Sequence, residues 1–243
     1  MLAHWPVSLK EARLKHSMYR RSPSSKSKSE SLACTSAGSL SERIVLFTRY
    51  PQPGRVKTRL IGALGPEGAA ELHREMTERM LAELMKLKSQ RSLTVEVVYE
   101  GGSPTLMKKW LRVEVPIRPQ GKGDLGARIG RAFERAFDSG MSRVVVVGSD
   151  CPMLNSTLIE QALDSLECSD LVIGPATDGG YYLIGLRRHT PRLFVDIPWG
   201  TSDVFARSVA VASSIGLQLV LLEPLTDVDR PEDLRILKNK PNL

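Results

Sequence analysis

Residues 143–150 read Arg-Val-Val-Val-Val-Gly-Ser-Asp. Four consecutive valines leave a strand with no polar face, so it must be covered on both sides, as at the centre of a parallel sheet flanked by helices. Gly148 breaks the run, and Asp150 follows at its carboxyl-terminal mouth, just before Pro152. Open α/β sheets bind ligands beyond the carboxyl ends of their strands. An acid at that edge is suited to holding a metal on a nucleotide phosphate. The other reading is a turn aspartate that leads into a helix over Asn155–Leu166.

The segments around this strand alternate in period. Ile44–Thr48 is an apolar strand. A loop with two prolines and a glycine (Arg49–Leu60) follows and cannot be helical throughout. If extended, the loop carries Arg55, Lys57 and Arg59 on one face, with Thr58 between them. Strand, glycine-containing basic loop and helix is a common arrangement for holding phosphate; a solvated basic loop is the alternative. Neither the Walker G-x-x-x-x-G-K-[ST] nor the Rossmann G-x-G-x-x-G pattern occurs there. Leu72, Met76, Met80, Leu84 and Leu87 form a helical stripe within Pro66–Lys88, and His73 and the methionines read as core and surface. Leu93–Tyr99 alternates as a strand, and Ser103 is a cap for a helix running to Leu111. Alternating strands and helices predict an α/β domain with a mostly parallel sheet and right-handed crossovers.

Three further polar edges follow. Pro119–Arg128 is glycine-rich, and Gly123 and Gly126 suit close backbone approach to a ligand. Asp124 joins them as a ligand-side residue or as the cap of a helix over Ala127–Phe137. After the strand Leu171–Ile173, Asp178-Gly179-Gly180 is a hairpin signal that brings Asp178 to the same sheet edge as Asp150. Ser202 is a natural cap for the helix that follows it. After a last strand at Leu219–Leu222, Asp227 and Asp229 share a face if their segment is extended. Pro231 opens the last helix at its favoured first position, which leaves Asp229 either as a ligand or as a helix cap.

Charge and cysteine content narrow the class. Of the net charge of +7, +5 lies in residues 1–40, where seven Lys/Arg stand against Glu11 and Glu30. The body is thus nearly neutral and has no nucleic-acid footprint. Residues 1–40 form a Ser-rich, basic zone that reads as a disordered leader. It is either a transit peptide or a tail that binds nothing. No apolar run reaches the length of a membrane span. Cys34, Cys151 and Cys168 are scattered, without C-x-x-C, so neither a zinc site nor a disulfide framework is implied.

Phe47–Leu60, Gly148–Pro152, Thr177–Gly185, Trp199–Val204 and Asp227–Leu234, in this order, resemble the GT-A-like transferases, in particular glycosyltransferases of the radical-SAM/selenodomain-associated and arsenosugar-biosynthesis types. The likeness extends more distantly to the phospholactate and molybdenum-cofactor guanylyltransferases. It implies one GT-A-like (nucleotide-diphospho-sugar transferase) domain over residues 41–243. It also implies a glycosyltransferase using a nucleotide sugar and a small-molecule acceptor, with a nucleotidyltransferase or a catalytically silent nucleotide-binding domain as alternatives. By the same resemblance Lys57 and Arg59 hold phosphate and Asp150 and Asp229 bind Mg²⁺ or Mn²⁺, and the catalytic residues are Lys57, which stabilises the leaving phosphates, and Asp178, which positions or deprotonates an acceptor hydroxyl. The sugar-transferase D-x-D is absent at the end of the valine strand, where Ser149 precedes a single Asp150, and Arg230 stands where related motifs carry Thr. The expected protein is soluble. It is cytoplasmic, or plastid or mitochondrial if the leader is a transit peptide.

Overall fold

The computed structural model describes residues 41–238. The leader at residues 1–40, with the transit-peptide reading attached to it, lies outside the described residues. A seven-stranded sheet runs in the order β3-β2-β1-β4-β6-β5-β7. Its strands are β1 (Glu42–Arg49), β2 (Leu93–Glu100), β3 (Ile117–Pro119), β4 (Arg143–Gly148), β5 (Leu171–Pro175), β6 (Tyr181–Leu186) and β7 (Leu219–Leu221). All neighbouring pairs are parallel except those of β6, which runs antiparallel to both β4 and β5. The Asp178-Gly179-Gly180 turn makes the β5–β6 hairpin, and the return strand slots between β4 and β5. β3 was not apparent from sequence: three residues carry no period, and its terminal Pro119 is tolerated at a sheet edge.

The valine run behaves as its composition demands. Val144–Val147 are each at most 4% exposed and alternate between two apolar layers. Val145 and Val147, with Ile44 and Leu46, pack on helices α1 (Ile61–Gln90), α2 (Pro104–Leu111) and α4 (Ser156–Ser165). Val144 and Val146, with Val45 and Phe47, pack on α3 (Leu125–Asp138) and α5 (Val204–Ser214), around Phe133 and Phe194. Burying each such side chain contributes roughly 1.5–3 kcal/mol. The α1 stripe is buried throughout, and Gly65 (φ 70°, ψ 167°) breaks the first turn from the rest, so the long regular helix starts at Pro66 as expected.

Caps follow local chemistry with two exceptions. Ser103, Asp124 and Asn155 each accept a backbone N–H in the first turn of their helices. Ser202 does not cap α5. The Thr201 hydroxyl instead accepts the Asp203 N–H, and the helix opens at Val204 without a side-chain cap. Nor does Asp229 cap the last turns. Asp233 accepts the N–H groups of Asp229 and Arg230, and Pro231 occupies the first position of a 3₁₀ turn that leads into α6 (Arg235–Lys238).

A third cluster positions the site. Leu60, Leu72 and Met76 from the start of the domain enclose Val228 from its end. After β7 the chain pairs once more along β5 (Ala176 with Leu225) and crosses the carboxyl edge of the sheet. There the Val228 N–H donates to the Asp150 carbonyl at 2.9 Å.

Candidate active site

The basic loop is not extended. Lys57 has φ 48° and ψ 41° and precedes a 3₁₀ turn, Thr58–Leu60, so the alternation that put three cations on one face does not exist. A left-handed non-glycine residue costs roughly 1–3 kcal/mol and persists only where its surroundings hold it. Here the side chain is held at its tip. Lys57 Nζ donates to the Val228 carbonyl at 2.7 Å and lies 2.9 Å from Asp150 Oδ1 and 3.8 Å from Asp229 Oδ1. The Lys57 side chain is only 3% exposed, whereas Asp150 and Asp229 are 47% and 40% exposed. The ammonium is thus roofed by two carboxylates that face solvent. Arg59, on the outer side, pairs with Asp229 Oδ2. Arg55 and Thr58 are exposed.

Two residues given no site role from the sequence belong to this cluster. His73, 4% exposed on α1, has Nε2 3.0 Å from the Arg49 carbonyl and Nδ1 3.8 Å from Asp150 Oδ1. Beneath it, Thr77 donates to the His73 carbonyl and meets Thr48 Oγ1 at 2.9 Å, a polar seam under the end of β1. A buried polar pair at i and i+4 beside an apolar stripe was the available signal. Asp227 is the second. Burial, then the charges of Asp150 and Asp178, push its carboxyl up to about 7 against the pull of Lys57. Burial also acts to raise Asp150, but the Lys57 ammonium and His73 override it and hold that carboxyl well below the usual range.

The remaining predicted residues divide. Asp178 sits exposed at the hairpin turn, its Oδ1 accepting the Gly180 N–H at 2.9 Å, close enough for its charge to act on Asp227. Asp124 caps α3. Gly126 does allow a close approach, but to protein: a Cβ there would fall 2.3 Å from Trp199 Nε1. The Gly123 carbonyl accepts Arg128 Nε, and Arg131 donates to the carbonyls of Gln120 and Lys122, so the glycine loop is laced to α3. Cys151 is buried, its thiol pushed up to about 12 by burial and by Asp227, which makes it a poor nucleophile.

The donor set fits a hard divalent cation. Oδ1 of Asp227 and Nδ1 of His73 are buried without a hydrogen-bond partner, and the buried Oδ1 of Asp150 is met by the Lys57 ammonium. Among the described residues no group of three or more His, Cys, Asp or Glu forms a ready metal cage. Mg²⁺ is commonly bound by one or two carboxylates completed by substrate phosphates, rather than by an all-protein cage.

Residues 82–201 match the model of a family described as "uncharacterized protein conserved in bacteria", DUF2064. The crystal structure of a candidate nucleotide-diphospho-sugar transferase from Desulfovibrio desulfuricans G20 is similar at 36% identity, over 82% of this chain and 88% of that one, with a TM-score of 0.76. The chain belongs to the DUF2064 family. This DUF2064 chain is also 24% identical to a phosphoenolpyruvate guanylyltransferase from Chloroflexus aggregans, over 74% of its own length and 89% of the relative's. At 10% identity and a TM-score of 0.54, 4-diphosphocytidyl-2C-methyl-D-erythritol synthase from Anaerococcus prevotii shares the fold. The expected GT-A-like α/β domain is thus the one observed. No helix among the described residues is long and apolar enough to cross a membrane.

Proposed function

We propose that the chain is a metal-dependent nucleotidyltransferase. It would move a nucleoside monophosphate from a nucleoside triphosphate to a phosphorylated or carboxylated small molecule, releasing pyrophosphate. The observation that carries this reading is the buried Lys57 ammonium clasped by Asp150 and Asp229 at the carboxyl edge of the sheet. Four acids (Asp150, Asp178, Asp227 and Asp229) meet there, and a polyphosphate cannot approach them without cations. Lys57 and Arg59 supply two.

On donor binding, the N–H donors of Lys57 and Arg59 would transfer from carboxylate to phosphate oxygens, a charge-assisted exchange. Asp150 and Asp229, with Asp227 beside them, would hold Mg²⁺ or Mn²⁺, which when bound supplies Lewis-acid neutralisation of the triphosphate. Asp178, on the exposed turn, would orient the acceptor. The acceptor oxygen attacks the α-phosphorus, the bond to the bridging α–β oxygen breaks, and Lys57 and Arg59 stabilise the charge leaving on pyrophosphate. An acceptor that is already anionic needs no base to deprotonate it. The guanylyltransferase likeness, and a single acid in place of a D-x-D at Gly148–Asp150, support nucleotidyl transfer.

Glycosyl transfer from a nucleotide sugar is the second reading, favoured by the description of the 36% identical relative. The two differ in their products. Incubation with a panel of nucleoside triphosphates and nucleotide sugars, with phosphoenolpyruvate, a 2-phospho acid and a sugar phosphate as acceptors, should release pyrophosphate only from the triphosphates. Release of nucleoside diphosphate from a nucleotide sugar would establish the second reading. Release of neither, with no nucleotide binding, would refute both.

A further inference from the structure

On the α3 face of the sheet, a cavity of about 430 Å³ is lined by Arg43, Glu96, Arg118, Arg135, Asp138 and Ser139. It lies toward the opposite end of the strands from Lys57: Arg43 is five residues before Thr48, about 17 Å along β1. Glu96 is 3% exposed, and three guanidiniums surround it. Arg43 Nη1 is 3.6 Å from Oε2, and Arg118 Nε and Arg135 Nη2 are 3.4 and 3.5 Å from Oε1. These are long contacts. At the other buried glutamate, Glu42, Arg91 approaches to 2.5 and 2.7 Å and Arg143 to 3.0 Å, the range of closed charge-assisted pairs.

The mismatch has a simple origin. Three guanidiniums carry about fifteen N–H donors, against roughly four lone-pair sites on one carboxylate. Arg43 spends its Nε on Thr94 Oγ1, but the buried Nε of Arg135 has no acceptor. Even counting Asp138, the pocket keeps a positive excess. The guanidiniums come from three separate elements, β1, β3 and α3, so they converge on the pocket from different directions. A planar carboxylate cannot satisfy that arrangement, whereas a tetrahedral oxyanion presents acceptors on several sides at once.

We propose that this pocket is a second anion site, separate from the candidate active site, that takes a phosphate or phosphomonoester group. Its arginines bind the group jointly, with Glu96 fixing their spread in its absence. The test uses the full chain and inorganic phosphate, titrated by calorimetry at constant ionic strength with chloride as the balancing ion. Lys57→Met serves as the background that removes phosphate binding at the active site. Phosphate should bind this background, and Arg118→Gln or Arg135→Gln within it should each weaken binding roughly 10- to 150-fold. Arg118 is 59% exposed on an edge strand, so its replacement leaves the fold intact. Glycerol 3-phosphate should compete with phosphate, and acetate should not. Absence of phosphate binding in the Lys57→Met background, binding in either arginine variant as tight as in that background, or equal competition by acetate would each overturn the proposal.

Discussion

Replacing Asp227 with Asn isolates the electrostatic strain of the acid cluster. The folded protein raises this carboxyl from an ordinary value of 3.8 to about 7. Each tenfold change in proton affinity is about 1.4 kcal/mol, so ionising Asp227 against its surroundings costs the fold at most about 4 kcal/mol. The group is partly exposed, and screening by solvent and counter-ions reduces this to about 2 kcal/mol. The sign follows from proton counting. Between about pH 4 and pH 7 the folded chain keeps a proton on Asp227 that the unfolded chain has already lost, so stability falls as pH rises through this window. The opposite contribution of Asp150, whose carboxyl is depressed, is complete above its unfolded value and is lost only at lower pH. Asp227→Asn should therefore match wild type near pH 4 and exceed it by roughly 4–8 °C in melting temperature at pH 8, at about 2–4 °C per kcal/mol for a domain of this size. The assay is a series of thermal melts from pH 4 to pH 8 without divalent cation. Parallel profiles for the two proteins would mean that Asp227 ionises freely and that the four acids do not share one field.

Other outcomes follow from the same contacts. Lys57→Met removes the shared cation of Asp150 and Asp229. In place of the unchanged melting temperature that a solvated loop would give, it should melt roughly 4–8 °C lower, for a loss of about 2 kcal/mol, and bind nucleoside triphosphate roughly 10- to 150-fold more weakly by calorimetry. Asp150→Asn should destabilise rather than relieve the protein, because the pull of Lys57 and His73 on the Asp150 carboxylate outweighs its repulsion of Asp227; a thermal melt at pH 7 checks this. Gly126→Ala forces a methyl into the Trp199 indole and should shift tryptophan emission and cost about 1–3 kcal/mol in urea unfolding. Glu42→Gln leaves Arg91 and Arg143 without their shared buried partner and should cost about 3–5 kcal/mol in the same measurement.

How much of this was legible in the sequence depended on the range of the interaction that fixes each element. Local chemistry sufficed for the valine strand, for the caps at Ser103, Asp124 and Asn155, for the Pro66 start of the long helix and for the Asp178-Gly179-Gly180 hairpin. It failed at the conformation of Lys57, because a left-handed lysine is imposed by Val228, Asp150 and Asp229 and not by its neighbours in the chain. The meeting of Asp150 with Asp229 was anticipated from strand ends alone, yet β7 is three strands away from β4. The segment around residues 224–229 bridges that gap by crossing the sheet edge, which no period in the sequence encodes. His73 was hidden because its neighbour Leu72 lies on the apolar stripe, and a histidine beside such a stripe usually packs quietly. Asp227 was visible as a partner of Asp229, but only the enclosure by Asp150 and Asp178 distinguishes it.

The crossing segment bears on synthesis of the chain. The Lys57 ammonium finds its carbonyl partner 171 residues later, at Val228. The strands β1 to β6 can emerge from the ribosome and pair while this lysine still lacks two of its three anchors. A nascent chain that stalls before residue 226 would therefore own a nearly complete sheet and no site. Under the proposed function, competence to hold a triphosphate arrives only once Val228 and Asp229 have been made, so a product cut short before them would not sequester nucleotide.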